Sequence, residues 1–252
     1  AASTGEQALD ANGNRISAPH YEQAANAYRA FLRQYSSNPD FPDVLRALGT
    51  LQQDVFRQLD AAEATLREVV RRFPDTPAAD DARYDLGRIA LQRNQISDAR
   101  LAFSRLVKRL RTGDLAGQAR YELALLHFYK GEFEAALTRV EATHANTSTD
   151  VSNDAIELKM LMRLNRGPDS LNTPLRLFAQ SRLLTRQRQA QQAMAVLDTL
   201  LAQYGRHSLA DNVRFERAQL LEHMRDTTAA LTAYGERSEE RRVGKECFLL
   251  CR

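Results

Sequence analysis

Hydrophobic and polar positions along this 252-residue chain alternate with helical spacing, and the pattern recurs in blocks. Each block has an apolar-periodic segment, a short polar turn and a second segment that contains alanine. This order predicts two antiparallel helices per block, here called A and B. In four blocks a small residue near the end of helix A precedes an alanine of helix B by 12 positions. The four pairs are Gly87/Ala99, Ala124/Ala136, Ser181/Ala193 and Ala218/Ala230.

The alanines of the B helices recur at a fixed period. They are Ala24, Ala62, Ala99, Ala136, Ala193 and Ala230, with spacings of 38, 37, 37, 57 and 37 residues. A larger residue follows each alanine by four positions: Tyr28, Leu66, Phe103, Val140, Leu197 and Tyr234. Small residues let paired helices approach closely, and each pair exposes an apolar face that only the next pair can cover. The period therefore predicts an all-α solenoid of antiparallel helix pairs.

The turns agree with this division of the chain. Segment 130–133 (KGEF) is predicted to break an A helix, and segment 73–77 (FPDTP) to end a B helix. The 57-residue spacing is the period of 37 plus 20 residues, enough for one more helix and a turn. We expect this unpaired helix near 152–165, with Ser152 or Asn153 as its N-cap and segment 167–169 (GPD) at its end.

The blocks resemble the tetratricopeptide repeat (TPR), in which helix A carries Leu-Gly and helix B carries alanine, a bulky apolar residue and a closing proline. The matching residues are Leu86, Gly87, Ala99 and Phe103 in one block, and Leu48, Gly49, Ala62, Leu66 and Pro74 in another. The period is longer than the usual 34 residues, and several blocks have Arg or Gly in place of the closing proline. The resemblance implies a right-handed superhelix of about six repeats over 17–236, after a frayed or truncated segment over 1–16.

Such an array implies a non-enzymatic scaffold that binds a peptide or protein partner in the concave groove lined by its A helices. Segment 73–87 (FPDTPAADDARYDLG) is similar to repeats of bacterial cell-envelope TPR proteins. We therefore expect a periplasmic or lipid-anchored protein, with a cytoplasmic location as the alternative. Two other roles stay open: a structural component of an envelope assembly, and the helical arm of a larger enzyme or regulator. The sequence does not identify the partner or the oligomeric state.

Aromatic and arginine side chains on the A helices are the candidate groove residues, because these two types dominate protein-binding hot spots. The set is Tyr84, Arg88, Tyr121, Phe128, Phe178, Arg182 and Phe215. The alternative is that the aromatic rings form core between repeats and that the arginines pair with neighbouring acids. A clamp for C-terminal carboxylates, as in co-chaperone TPR proteins, is disfavoured because the required Lys and Asn positions hold aromatic residues or Arg.

Residues 237–252 are predicted to be an artefact, because segment 237–247 (RSEERRVGKEC) resembles a translated sequencing adapter. Both cysteines, Cys247 and Cys251, lie in this tail, so the remaining chain offers no thiol chemistry. Without the tail, 35 − 5 = 30 basic and 32 − 3 = 29 acidic residues remain, a net charge of +1 instead of +3. This balance does not favour a nucleic-acid partner. The missing initiator Met and apolar leader predict a removed signal peptide or a fragment that begins within its gene.

No sequence motif indicates a catalytic site, a cofactor or a metal. The five histidines are scattered, without a pair at i, i+4 and without HExxH. Dinucleotide-binding, P-loop and GxSxG patterns do not occur. The longest apolar runs are only a few residues, so no transmembrane segment is expected.

Overall fold

The computed structural model describes residues 8–9, 15–16, 18–144, 149–166 and 172–235. The predicted adapter segment, 237–252, lies outside the described residues. The chain divides into two compact units, unit 1 (Ala1–Arg111) and unit 2 (Thr112–Arg252). Each unit has its own cluster of buried apolar side chains.

The described residues are almost entirely helical, which confirms the predicted all-α class. The helices are α1 (Ala18–Gln34), α2 (Phe41–Asp54), α3 (Leu59–Arg72), α4 (Pro77–Gln92), α5 (Ile96–Leu110), α6 (Asp114–Tyr129), α7 (Phe133–His144), α8 (Thr149–Asn165), α9 (Thr173–Arg186), α10 (Ala190–Tyr204), α11 (Ala210–His223) and α12 (227–235). Two short strands that the sequence did not predict, β1 (Ala8–Leu9) and β2 (Arg15–Ile16), pair antiparallel before α1. In the described ranges, every helix is too short or too polar to cross a bilayer.

In unit 1 the helices pack as consecutive pairs, α2 with α3 and α4 with α5, while α3 also packs on α4 and α1 on α2. Glycine makes the crossing points close. A Cβ added to Gly49 would lie 2.9 Å from the Leu66 side chain, and one added to Gly87 would lie 2.6 Å from the Phe103 ring. Both distances are well inside the separation of about 3.5–4.0 Å at which carbon atoms attract. At each of these positions the large side chain of the facing helix leaves no room for a Cβ, so the position requires glycine.

Most of the predicted small–large pairs lie in the core, with one correction of register. Five of the six predicted alanines are buried, namely Ala62, Ala99, Ala136, Ala193 and Ala230. The sixth, Ala24, is only half-buried, and Ala25 is the fully buried alanine of α1. The spacing from Ala25 to Ala62 is then 37, so the first block follows the same period as its neighbours. At the two ends, the large residues Tyr28 and Tyr234 are also only half-buried.

The predicted turns occur where the sequence placed them. Helix α3 ends just before segment 73–77, and the Thr76 hydroxyl caps α4 by accepting a hydrogen bond from the backbone N–H of Ala79 at 3.3 Å. Helix α6 ends at Tyr129, and the next hairpin turn contains Gly131 with a φ of 73°. Left-handed backbone of this kind favours glycine.

The same left-handed turn recurs in every A–B connection, which the sequence analysis missed. In these five turns the residues with positive φ are Arg57, Asn94, Gly131, Arg188 and Arg225. Their spacings of 37, 37, 57 and 37 repeat the spacings of the B-helix alanines. In four of these turns the following N–H donates to a carbonyl five residues back, as in Gln95 to Ala90 at 2.8 Å. This is the Schellman bond that closes a helix end, so the period fixes backbone geometry as well as packing.

In unit 2, α6 packs with α7 and α9 packs with α10, and α9 also contacts α6. Helix α8 is the predicted extra helix, and it packs against α7 and α6. Ion pairs join α8 and the residue after it to α7: Arg163 pairs with Glu141 at 2.5 Å, and Arg166 pairs with Glu134 at 2.5 Å. Between α11 and α12, the rings of Phe215 and Tyr234 lie 6.1 Å apart.

The start of the extra helix differs from the prediction. Helix α8 begins at Thr149, so Ser152 and Asn153 lie inside it and are not its N-cap. Val151 is buried along with Ala155 and Leu158. Because these residues share one face of the helix, the first turn packs onto the core, and the helix extends beyond the polar residues that were expected to start it. The predicted terminating segment, 167–169, lies outside the described residues.

Candidate partner-binding surface

In unit 1, the candidate Arg88 on α4 belongs to a chain of ion pairs that joins α4 to α2. Its guanidinium lies 3.0 Å from Asp54 on α2 and 3.2 Å from Asp85 on its own helix. Asp85 also pairs with Arg46 at 3.1 Å, and Arg46 reaches Asp81 at 3.3 Å. Asp85 is almost completely buried at 1% exposure. These ion pairs link the neighbouring A helices α2 and α4 of unit 1.

The charges of the neighbouring carboxylates shift the pKa of Arg88. Burial lowers the pKa of Arg88, but the charges of Asp54 and Asp85 and their hydrogen bonds raise it by more, so the net shift is upward. Burial raises the pKa of Asp81, against the lowering effect of Arg46. The alternative given for Arg88, pairing with acids nearby, is the arrangement in the structure.

The candidate Tyr84 is half-buried on α4. Its ring lies 5.4 Å from that of Phe103, at a tilt of 53°. One side of Tyr84 therefore supports the core ring that faces Gly87, and part of its surface is open to solvent.

Unit 2 contains a cleft of about 260 Å³. Helices α6, α8, α9 and α11 contribute its walls, so α8 adds residues to a surface otherwise built from A helices. The lining residues are Tyr121, Leu125, Tyr129, Asp154, Glu157, Leu158, Arg182, Thr185, Arg186 and Glu216. Two of the predicted groove residues, Tyr121 and Arg182, lie here together.

The two tyrosines of the cleft are half-buried and lie two turns apart on α6. Burial raises the pKa of both hydroxyls, and for Tyr121 the nearby Arg182 only partly opposes this effect. Both hydroxyls therefore stay protonated at physiological pH. Neither forms a hydrogen bond with another described residue, so each retains its capacity to donate and accept.

Two arginines of α9 form the opposite wall, and both are paired within the unit. Arg182 lies 3.2 Å from Glu216 on α11, and its guanidinium is 5.9 Å from the ring centre of Phe178. Arg186 bonds to the buried Glu122 on α6 at 2.6 Å. Burial lowers the pKa of Arg182, but Glu216 and weaker neighbouring charges raise it by more. Both guanidinium groups are therefore charged and committed to their own carboxylates.

The other candidate residues occupy different environments. Phe128 and Phe178 are core side chains at 0% and 1% exposure, so they are removed from the candidate surface. Phe178 shares a repeat position with Tyr121 but has no hydroxyl that requires a polar neighbour, and it packs in the apolar cluster of unit 2. Phe215 is half-buried against Tyr234 and does not line the cleft.

Sequence reasoning missed the contribution of α8. Asp154 and Glu157 lie on this helix, which has no counterpart in the other blocks, so no repeat position could indicate them. Arg186 could have been found, because it lies one turn after the predicted Arg182 on the same face of α9. Across the described ranges, no three His, Cys, Asp or Glu residues are grouped so that they could hold a metal ion.

Comparison with known proteins supports the repeat assignment. Residues 56–114 and 84–149 match the family model of the tetratricopeptide repeat, so the chain contains TPR repeats over α3 to α7. The chain is similar to a solved TPR protein from Parabacteroides merdae, with 13% identity, a TM-score of 0.47, and coverage of 88% of this chain and 87% of that chain. It is also similar to BtubC (BKLC) from P. vanneervenii, with 14% identity, a TM-score of 0.44, and coverage of 90% and 91%. No curated protein matches the sequence.

Proposed function

We propose that this chain is a non-enzymatic protein-interaction scaffold and that the cleft of unit 2 binds a peptide segment of a protein partner. TPR repeats typically mediate protein–protein interaction, and the matched repeats lie in this chain. The observation that carries the proposal is that Tyr121 and Arg182, on two different A helices, line one cleft. Tyrosine and arginine in a partly desolvated pocket are the residues that contribute most to protein interfaces.

The size and lining of the cleft favour a peptide over a small molecule. About 260 Å³ is below the range of roughly 300–1,000 Å³ that is usual for small-molecule sites. The volume is enough for one or two side chains of a partner, while the rest of the partner crosses the surrounding helices. Apolar residues at its base, Leu125 and Leu158, and polar groups above them are the anatomy of a hot spot with a polar rim.

Unit 1 is the weaker candidate for the same role. A partner that used Arg88 would have to compete with two carboxylates, Asp54 and Asp85, and Asp85 is almost completely buried. Arg182 in the cleft of unit 2 is ion-paired only with Glu216 among the described residues, so a partner has fewer ion pairs to displace there. Tyr84 stays a predicted contact, because part of its ring is open to solvent.

The test is site-specific photocrosslinking in an extract of the source organism, with a photoreactive phenylalanine in place of Tyr121. The matched control position is Tyr204, also half-buried against the same core but absent from the cleft. A partner should be crosslinked through position 121 and not through position 204. Arg182→Ala should reduce the yield, whereas Arg217→Ala, which breaks the pair with Asp198 on another surface, should not. Equal crosslinking at both positions, with folding intact, would refute the cleft assignment.

We further propose a bacterial cell-envelope location, supported by the likeness of segment 73–87 to envelope TPR proteins. Sequencing the gene upstream tests this location, since a signal peptide or a lipidated cysteine is expected there. The alternative role, as the helical arm of a larger enzyme, predicts instead that the reading frame continues into a catalytic domain.

A further inference from the structure

The cleft of unit 2 has an apolar base and two chemically different walls. Two leucines line it, Leu125 on α6 and Leu158 on α8, and both are buried, at 5% and 1% exposure. This base can cover an aliphatic chain, since apolar area removed from water contributes about 25 cal/mol per Å².

On the wall built by α9, both arginines are paired with carboxylates. Arg182 is neutralised by Glu216 and Arg186 by Glu122. An anionic ligand would have to compete with these carboxylates, at 3.2 Å and 2.6 Å, for the guanidinium groups. The positive charges of the cleft therefore do not favour an acidic partner.

The wall built by α8 carries two carboxylates that, in the described ranges, have no cationic partner in an ion pair. Asp154 and Glu157 lie one turn apart on its cleft side, and both are exposed. Within the described residues neither carboxylate forms an ion pair. Asp154 is close enough to the Tyr121 hydroxyl to raise its pKa, and Glu157 is close enough to Arg182 to raise the pKa of that guanidinium. Two carboxylates without an ion pair to a described residue therefore line the cleft, Asp154 near Tyr121 and Glu157 near Arg182.

We propose that the cleft binds a lysine or arginine side chain of the protein partner, with its charged end between Asp154 and Glu157 and its aliphatic stem on Tyr121 and Leu125. This inference rests on the proposed function and specifies its partner as a basic peptide segment. Charge complementarity supports it, because two carboxylates and two tyrosine hydroxyls with unused acceptor capacity match a group that carries only donors. Long cationic side chains bury their stems on apolar surface in this way, and a tyrosine ring adds cation–π attraction.

The experiment measures binding of labelled peptides to the full chain by fluorescence polarisation. One probe is a lysine- and arginine-containing peptide, a second has glutamine at each basic position, and a third has glutamate there. The basic peptide should bind most tightly. Asp154→Asn combined with Glu157→Gln should weaken it about tenfold, in keeping with two exposed charge contacts of up to about 1 kcal/mol each. The matched control is Asp60→Asn with Asp75→Asn, the same change of net charge at exposed positions outside the cleft.

Each outcome separates this inference from the proposed function. Preference for the basic peptide that is lost only in the cleft variant supports both. Peptide binding that depends on Tyr121 but is equal for all three probes, or strongest for the acidic probe, would overturn the inference and leave the proposed function standing. An equal loss in the Asp60/Asp75 control would show diffuse charge attraction, and would overturn the inference. Binding that is insensitive to Tyr121→Ala would overturn both. Circular dichroism of each variant verifies that it is folded.

Discussion

The contact between Gly87 and Phe103 gives the sharpest prediction about stability. In Gly87→Ala the new Cβ would lie 2.6 Å and 2.8 Å from two ring carbons of Phe103. The ring cannot easily move aside, because it is completely buried and Tyr84 lies 5.4 Å from it. Alanine in place of glycine would by itself stabilise helix α4 by about 1 kcal/mol, while overpacking costs roughly 1–3 kcal/mol. We therefore expect a net loss of about 1 kcal/mol in the free energy of unfolding.

Urea unfolding followed by circular dichroism measures this change, with unit 1 as the part that responds. The decisive variant is Gly87→Ala combined with Phe103→Leu, in which a smaller side chain makes room for the Cβ. Alanine should be less harmful in that background, with a coupling of about 1 kcal/mol between the two sites. Ala124, at the same repeat position in α6, is the control, and Ala124→Gly should lose about 2 kcal/mol, because helix propensity contributes about 1 kcal/mol and the fully buried methyl about 0.8 kcal/mol. A gain in stability in Gly87→Ala, equal to the propensity term, would refute the contact.

Three further predictions concern single features of the chain. Arg188→Gly should stabilise the protein by about 0.5–1 kcal/mol, because it relieves a left-handed backbone at a φ of 58°, and an unchanged urea midpoint would show that contacts of the arginine side chain compensate. Asp81→Asn should raise the melting temperature at neutral pH, because burial raises the pKa of this carboxyl and so disfavours its charged form. That advantage should vanish in thermal melts below about pH 4, the ordinary range of Asp, where the wild-type group is protonated in both states; an advantage that persists in acid would contradict the electrostatic cause. Deletion of 237–252 should leave the melting temperature unchanged, and a marked drop would show that the tail docks on the repeats.

Much of the fold could be predicted because the same packing constraint recurs in several repeats. Gly87 and Phe103 are one small–large pair, and Ser181 and Leu197 are another at the same interval. A constraint repeated at one spacing is visible without an alignment. The register of α1 was the exception, because Ala24 and Ala25 are both alanine and composition cannot distinguish the buried one.

The candidate binding surface was harder to predict, because repeat position fixes the backbone environment but not the contacts of the side chain. Tyr121 and Phe178 share a position, yet one lines a cleft and the other is core. The carboxylates of α8 have no equivalent in other blocks. The left-handed turns were missed because three of them carry arginine, a residue with no preference for positive φ.

In unit 2, the residues that stabilise the helix pairs and the cleft carboxylates that form no ion pair with a described residue lie on different segments. The residues that hold each hairpin together recur at the repeat period, and a change at one of them disturbs packing. Helix α8 lies outside that period, and its cleft-facing carboxylates, Asp154 and Glu157, are exposed and form no ion pairs with other described residues. Substitutions there can alter the charge of the cleft with little loss of stability. If the cleft binds as proposed, affinity can therefore be redesigned through α8 alone while the helix pairs that display it stay the same.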